Sequence, residues 1–270
     1  MSQIDLEQRS GLPLVFDTEF NRLMFKGCPV SIQPDIRTRY QMSEVLSPHS
    51  SVHDTPKEFY QMYRGLGFAE DLELIAEKQV RYDVTVMPSA TIGPRGGEPQ
   101  YGGRLPLEFI KTLGHTHALP EVYEVLNGQA VYLIEDRARG VVEGVRAFEG
   151  DKVFIPSNHG HVTINTGTQP LIMANWISTQ TTSEYKGYQE TKGAMCFLTQ
   201  NGDGEFQWFA NPLFNLNDDN PSPRKRAGIR DKDLLRMRTG VLSKGTPLYT
   251  SAKECDFNNL GFLQQVYIKP

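Results

Sequence analysis

Four of the six histidines in this 270-residue chain lie close together, at His115, His117, His159 and His161. His115 and His117 are two residues apart, so an extended strand places both imidazoles on one face. Glu121 follows with the same parity, although Pro120 interrupts the strand, and His161 begins the later segment HVTIN. A β sandwich that closes on itself is expected to bring His161 opposite the first pair.

Three imidazoles and one carboxylate form a donor set that suits Fe(II), Mn(II), Ni(II), Zn(II) or Co(II), whereas Mg and Ca prefer oxygen ligands throughout. An ion that accepts six ligands would keep two positions for solvent or substrate, which is the condition for catalysis. The sequence therefore predicts a catalytic metal site, with the identity of the metal left open. His159 has the opposite parity to His161, and we predict that it is a loop residue and not a fifth ligand.

The elements that must position these residues are predicted to be strands. From Tyr82 to the low 210s, short apolar runs alternate with Gly, Pro and Asn, a pattern typical of a sandwich or barrel. The runs are DVTVM, LEFIKTL, EVYEVL, AVYLIE, KVFIP, HVTIN, PLIMANWIS, AMCFLTQ and EFQWFA. Asn127-Gly128 predicts a hairpin with a type I′ turn, because both residues tolerate a positive φ. NTGTQP, at 165–170, predicts a second turn.

The segments before and after this region are predicted to be less regular. Thr55-Pro56-Lys57-Glu58 matches a helix start, which predicts a helix over EFYQMYRGL. A second helix is predicted from Phe68 to Glu77, where acidic residues crowd the first turn. After Phe214, the polar stretch NLNDDNPSPRKRAG predicts a linker, followed by a short helix over IRDKDLLRMR and an irregular tail.

Composition excludes several classes of protein. Hydrophobic residues make up 39% and charged residues 22%, as in ordinary globular proteins. The net charge of -4 gives no general attraction to nucleic acid or anionic membranes, and Arg224-Lys225-Arg226 is interpreted as part of a solvated linker. Three cysteines without a CxxC motif indicate neither a disulfide framework nor a thiolate zinc site. Without a membrane span or a signal peptide in the pattern, we expect a cytoplasmic protein.

Two motifs around the candidate ligands have a characteristic spacing. HTHALPEVYEVLNG gives HxH, three residues, E, six residues, G, and GDKVFIPSNHGHVTIN gives G, five residues, P, four residues, H, three residues, N. The pair resembles the two signature motifs of the cupin superfamily, although Asn158 and Phe109 stand where glycine is usual. The resemblance implies a mainly β fold, the cupin double-stranded β-helix or jelly-roll barrel. We place the barrel at 80–214, an N-terminal helical and extended arm at 1–79, and a C-terminal extension at 215–270.

Further segments resemble the cupin-type glucose-6-phosphate isomerases of archaea and some bacteria. The segments are FIKTLGHTHA, EVYEVLNG, DKVFIPSNHGHVTINTGTQPLIMANW, SEYKGYQETKG and NGDGEFQWFANP. The resemblance covers roughly 80–214. It implies one divalent metal ion per chain, with Fe(II) favoured and Mn(II), Ni(II) or Zn(II) as alternatives. The implied metal ligands are His115, His117, Glu121 and His161.

The same resemblance implies a sugar-phosphate site formed by Thr85, Thr112, the backbone of Gly114, and Tyr185. The hydroxyls and this N–H would hold the phosphate without a Lys/Arg cluster. The stretch YKGYQETKGAM departs from the family form, so Tyr188 competes with Tyr185 for the role. Tyr123 shares the parity of Glu121, and we predict that both side chains act in catalysis beside the metal.

The implied activity is the interconversion of glucose 6-phosphate and fructose 6-phosphate, in glycolysis and gluconeogenesis. Either Glu121 moves a proton between C1 and C2 through a cis-enediol, or hydride passes directly between those carbons and Glu121 is only a ligand. Two other functions fit the residues: a cupin dioxygenase, because three His and one Glu also suit oxygen activation at Fe(II), and a sugar-phosphate-binding cupin without turnover. Cupins often pair through their outer strands, so the resemblance also implies a homodimer.

Overall fold

A computed structural model shows that the chain is mainly β. It describes residues 3–26, 33–46, 50–51, 55–93, 107–200, 206–215, 235–239 and 245–257, and the statements below concern these residues. None of the helices in these ranges is long and apolar enough to cross a membrane.

The strands fall into two main sheets and two small ones. In chain order they are β1 (Gln3–Asp5), β2 (Leu14–Asp17), β3 (Arg22–Phe25), β4 (Asp35–Thr38), β5 (Glu58–Tyr63), β6 (Val80–Met87), β7 (Thr91–Ile92), β8 (Leu107–Phe109), β9 (His115–Thr116), β10 (Glu121–Asn127), β11 (Gln129–Asp136), β12 (Val141–Phe148), β13 (Lys152–Ile155), β14 (Gly160–Asn165), β15 (Leu171–Ser178), β16 (Cys196–Gln200), β17 (Phe206–Ala210) and β18 (Leu235–Thr239). The α-helices are α1 (Glu7–Ser10), α2 (Arg39–Met42), α3 (Leu72–Glu77), α4 (Lys186–Glu190) and α5 (Leu248–Glu254). Short 3-10 helices cover Ser43–Val45 and Pro212–Asn215.

The two main sheets form the predicted jelly roll. One has the order β13-β10-β15-β6-β5-β4, and the other has the order β18-β12-β11-β14-β9. Some strands that follow one another in sequence, such as β10 and β11 or β14 and β15, lie in different sheets, whereas β11 and β12 are neighbours in one sheet. Apolar side chains from both sheets, among them Val125, Tyr132 and Met173, fill the space between them. The mainly β cupin fold is therefore confirmed.

The strands around the site are buried on both faces. All seven residues of β10 are buried, and so are seven of the eight residues of β15. Their inner faces pack between the main sheets, whereas their outer faces lie under β1–β3 and α5, where Tyr82, Trp176 and Tyr249 meet. Burial on both faces explains why β15, LIMANWIS, is an almost continuous apolar run, whereas β10 carries the buried polar residues Glu121, Glu124 and Asn127.

The helix predicted over EFYQMYRGL is wrong. Residues 58–63 form β5, which pairs with β4 on one side and β6 on the other. Phe59, Tyr60 and Tyr63 are buried there, and pairing and burial of aromatic side chains override the local signal for a helix start. The second predicted helix is present but shorter, as α3. The division of the chain at 79 and 214 stays a prediction, although β4 and β5 belong to the same sheet as β6.

The hairpin predicted at Asn127-Gly128 is also wrong. β10 ends at Asn127 and β11 begins at Gln129, but the two strands lie in different sheets. Gly128 has a φ of +84°, and a Cβ there would lie 2.9 Å from the carbonyl oxygen of Pro170. Asn127 donates a side-chain hydrogen bond of 2.7 Å to the same carbonyl. The turn signal therefore marks a corner between the sheets, and NTGTQP connects β14 to β15 in the same manner.

The C-terminal extension is more regular than predicted. Residues 235–238 of the predicted helix IRDKDLLRMR instead belong to β18, which pairs in parallel with the edge of β12. The rest of that prediction, and most of the predicted linker, lie outside the described residues. α5 replaces part of the predicted irregular tail: Trp176 donates to the carbonyl of Leu248, and the Leu248 N–H donates to buried Glu124.

Candidate metal centre

The predicted ligands are brought together between the two main sheets. His115 opens β9 and lies directly opposite His161 of β14 in the register of that pair. His117 follows β9, and Glu121 is the first residue of β10 in the facing sheet. One ligand atom from each of the four side chains lies within 4.8 Å of the others. The parity argument for the imidazoles and the expected approach of His161 are therefore matched by the geometry.

The unpaired atoms of this cluster fit a cation. Nδ1 of His115 lies 3.3 Å from the carbonyl oxygen of Leu113, and Nδ1 of His117 lies 3.2 Å from that of Leu119. A carbonyl only accepts, so both Nδ1 atoms carry the proton and each Nε2 offers a lone pair. Nε2 of His117 lies 3.0 Å from Oε2 of Glu121, yet neither atom has a well-directed hydrogen bond. Two facing acceptors are stabilised when a positive charge lies between them, as a bound metal ion would.

Burial sets the charge of the imidazoles. It lowers the pKa of His115 to about 4, against the opposing effect of the Glu121 carboxylate. Burial also lowers the pKa of His161 well below its usual value, and the neighbouring histidines lower it further. The pKa of His117 is raised, because the adjacent Glu121 carboxylate outweighs the effect of burial. His115 and His161 are thus neutral and ready to donate lone pairs to a metal ion.

Two neighbouring side chains orient the cluster. Asn175 donates a hydrogen bond of 2.7 Å to Oε1 of Glu121, which leaves Oε2 facing the histidines. The Tyr123 hydroxyl lies 3.0 Å from Nε2 of His161, and burial raises its pKa so that it stays protonated. Tyr123 was predicted beside the metal, whereas Asn175 was missed. The sequence feature that could have indicated Asn175 is that it is the only amide inside the apolar run PLIMANWIS. It lies opposite Tyr123 in the strand register, on the face that points inward.

A cavity beside the cluster contains most of the predicted substrate residues. Thr85, Thr112 and Tyr185 line it together with His115, Glu121 and Tyr123. Tyr188 is fully buried instead, and a Cβ at Gly114 would lie 2.2 Å from its ring. Of the two competing tyrosines, Tyr185 therefore faces the cavity, whereas Tyr188 packs under the backbone at Gly114 and Gly160. His159 lies in the turn before β14.

The cavity also has charged residues that were not predicted. Arg64 and Arg81 line it, and Asp83 lies between them and accepts hydrogen bonds from both. From the sequence, the phosphate was assigned to hydroxyls and one N–H without a Lys/Arg cluster, and these two arginines were not anticipated. Arg64 follows the end of β5, and Arg81 lies near the start of β6. Because β5 was predicted to be a helix, no local sequence pattern indicated that the two arginines would line the same cavity.

Two facing β sheets with three histidines and one glutamate between them define a cupin with a candidate metal site. The chain belongs to the family described as Glucose-6-phosphate isomerase (GPI), whose family model matches residues 37–214.

Curated relatives include the glucose-6-phosphate isomerase of Thermococcus kodakarensis, 30% identical over 115 residues, which are 42% of this chain and 59% of that protein. The corresponding enzyme of Pyrococcus horikoshii is 28% identical over 106 residues, 38% of this chain and 56% of that protein. The chain thus spans a little over half the length of these relatives.

Among solved structures, Bacillus subtilis oxalate decarboxylase is similar with a TM-score of 0.34 and 14% identity, over 47% of this chain and 29% of that chain. Vicilin from Solanum melongena has the same score and identity, over 49% of this chain and 32% of that chain.

Proposed function

We propose that this protein is a metal-dependent aldose-ketose isomerase that interconverts glucose 6-phosphate and fructose 6-phosphate. The observation that carries the proposal is the convergence of His115, His117, Glu121 and His161, whose ligand atoms lie within 4.8 Å of one another. This cluster lies inside the region that matches the isomerase family.

The proposed cofactor is one divalent ion per chain, with Fe(II) favoured and Mn(II), Ni(II) or Zn(II) as alternatives. His115, His117, His161 and Oε2 of Glu121 would hold it. When bound, such an ion supplies Lewis-acid polarisation of the sugar oxygens. The soft sulfur ligands that would favour Cu(I) are not among the four residues of the cluster.

Glu121 and Tyr123 are the proposed catalytic residues. Glu121 is almost fully buried, and Asn175 fixes its Oε1, so the carboxylate has a defined orientation toward the cavity. In one route it carries a proton between C1 and C2 of the open-chain sugar through a cis-enediol. In the other route hydride passes directly between these carbons. The protonated Tyr123 hydroxyl supplies a hydrogen-bond donor at the same wall of the cavity in either route.

The sugar phosphate is proposed to bind through Thr85, Thr112, the backbone of Gly114, and Tyr185. Tyr185 is preferred over Tyr188 because it lines the cavity whereas Tyr188 is enclosed in the core. We further propose that the reaction serves glycolysis and gluconeogenesis in the cytoplasm and that the protein is a homodimer, which sedimentation analysis would test.

A coupled assay of fructose 6-phosphate conversion tests the function. The protein is treated with EDTA, and Fe(II), Mn(II) or Zn(II) is added back; activity is expected to vanish and then return. His161→Ala should abolish activity and metal content, whereas His159→Ala, in the adjacent turn, is the matched control and should retain both. Near-normal activity and metal content in His161→Ala would show that the ligand set is wrong. Oxygen consumption without isomerisation would favour a dioxygenase, and tight sugar-phosphate binding without turnover would favour a binding protein.

A further inference from the structure

Two arginines at the cavity beside the candidate metal centre are already neutralised. Arg81 forms a two-point pair with Asp83, with distances of 2.8 Å from Nε to Oδ1 and from Nη2 to Oδ2. Arg64 donates from Nε to Asp35 at 2.6 Å and lies 3.4 Å from Asp83 through Nη1. These contacts occupy the forks of both guanidinium groups, so neither offers an unpaired charge to a ligand.

Arg37 differs from both. It lies in β4 opposite Tyr60, and its guanidinium carbon is 5.5 Å from the centroid of the Tyr185 ring. Its Nε is buried and has no hydrogen-bond partner, and within the described part of the chain we find no carboxylate paired with it. Both tyrosines line the cavity. Arg37 is not itself a lining residue, but it lies beside Tyr60 in the sheet and over the Tyr185 ring, so it places a positive charge without a described carboxylate partner next to this wall.

The position of Arg37 suits the far end of an extended substrate. The Tyr185 ring centroid lies 5.5 Å from that of His115 and also 5.5 Å from the Arg37 guanidinium carbon. The Arg37 guanidinium and the His115 imidazole are thus both neighbours of the Tyr185 ring, which connects Arg37 to the candidate metal cluster. Thr181 adds a second unused polar group, since its buried Oγ1 has no hydrogen-bond partner and the residue lines the same cavity. In a hexose 6-phosphate, the reacting carbons and the phosphate likewise stand at opposite ends of the carbon chain.

We propose that Arg37 binds the phosphate group of the substrate and selects phosphorylated over free sugars, a role that rests on the proposed isomerase function. A guanidinium fork matches two phosphate oxygens and forms charge-assisted hydrogen bonds with them. Arg37 is half-buried, and the cost of burying its Nε without a hydrogen-bond partner is offset when a phosphate dianion binds. Arg37 comes from the strand pair β4–β5, so the N-terminal part of the chain supplies a specificity-determining residue to the barrel.

The test measures binding directly, without turnover. Isothermal titration calorimetry is carried out on the Mn(II)-loaded protein with glucose 6-phosphate, inorganic phosphate and unphosphorylated glucose. Arg37→Gln is expected to weaken binding of both phosphates roughly 10- to 100-fold, the range that one hydrogen bond to a charged group supplies. Binding of glucose should not change. Arg37→Lys, which keeps the charge, should lie between Arg37→Gln and the wild type.

Arg146→Gln is the matched control, because the Arg146 guanidinium carbon also lies over an aromatic ring, 4.9 Å from the centroid of Phe206, but this ring does not line the cavity as Tyr185 does. It should bind every ligand as the wild type does. In steady-state kinetics, Arg37→Gln should raise KM for fructose 6-phosphate with little change in kcat.

The assignment would be overturned if Arg37→Gln bound glucose 6-phosphate and inorganic phosphate as tightly as the wild type does. It would also be overturned if the wild-type protein bound neither ligand. If the wild type binds both phosphates, Arg37→Gln loses them and no isomerisation occurs, the assignment of Arg37 stands and the proposed isomerase function fails.

Discussion

Replacing Asn175 with alanine is expected to weaken metal binding strongly and to lower the free energy of unfolding much less. The Asn175 amide is 5% exposed and donates a hydrogen bond of 2.7 Å to Oε1 of Glu121. Without it, the carboxylate can rotate, and a buried Oε1 loses its partner. The change removes no candidate metal ligand, so any effect on the metal must pass through the orientation and basicity of Glu121.

The expected magnitude follows from the charge of the acceptor. A hydrogen bond to a charged group contributes about 1.5–3 kcal/mol. At about 1.4 kcal/mol for each factor of ten, this corresponds to a loss of roughly 10- to 100-fold in metal affinity. The same range is found when outer partners of metal ligands are removed, about 10- to 100-fold.

Asn127→Ala provides the control. Asn127 is 4% exposed and also donates a 2.7 Å hydrogen bond, but its acceptor is the neutral carbonyl of Pro170. Its removal should cost about 0.5–1.5 kcal/mol of folding stability and leave the metal affinity unchanged. The metal dissociation constant is measured by competition with a chromogenic chelator, and the free energy of unfolding by urea titration. Wild-type metal affinity in Asn175→Ala, or an equal loss in both variants, would refute the reasoning.

Three further predictions concern the same site. Because burial lowers the pKa of His115 to about 4, below its ordinary value near 6.5, the unfolded chain binds a proton first as pH falls. The stability that neutral His115 contributes is full above about pH 6.5 and is lost toward pH 4; the unfolding temperature and bound metal should both fall in that window, and metal retained at the acidic end would contradict this. Gly114→Ala places a Cβ 2.2 Å from the Tyr188 ring and should destabilise the fold by about 1–3 kcal/mol; urea titration should show this loss reduced when Tyr188→Leu is added, and additive losses would argue against the contact. If Glu121 moves the proton, deuterium at C2 of glucose 6-phosphate should exchange with solvent during turnover, as mass spectrometry can detect; complete retention would instead favour direct hydride transfer.

The candidate metal cluster could be predicted because the spacing of its residues along the chain follows from strand geometry and from two short motifs. Alternation along a strand places His115 and His117 together, and two motifs with fixed spacing identify Glu121 and His161. The barrel strands were predictable for the same reason, since they are short apolar runs separated by turn residues. β12 was not predicted, because Glu143, Gly144 and Arg146 interrupt its apolar pattern.

The remaining features depend on contacts between distant segments. Residues 58–63 have a helix-start signal before them, but the available partners β4 and β6 make them a strand. Asn127-Gly128 has the composition of a hairpin turn, yet its two strands lie in different sheets. Arg37 reaches Tyr60 and Tyr185 only because β4 joins the barrel sheet through β5. No local pattern contains these pairings, so neither the third arginine nor the arginine pair beside Asp83 could be predicted.

The packing of α5 has a practical consequence for anyone who wishes to isolate the barrel. On β15, Asn175 holds Glu121 on the inner face, while the next residue, Trp176, donates to the carbonyl of Leu248 on the outer face. On β10, Tyr123 approaches His161 on the inner face, while the next residue, Glu124, accepts the Leu248 N–H on the outer face.

The same two strands therefore carry the candidate metal cluster on one side and α5 on the other. A truncation after residue 214 would expose Trp176 to solvent and leave the Glu124 carboxylate without the Leu248 N–H. Such a fragment would lose the outer support of both strands that orient the carboxylate and the phenol. Loss of activity in it would therefore not identify a catalytic group in the tail, because the scaffold is loosened as well.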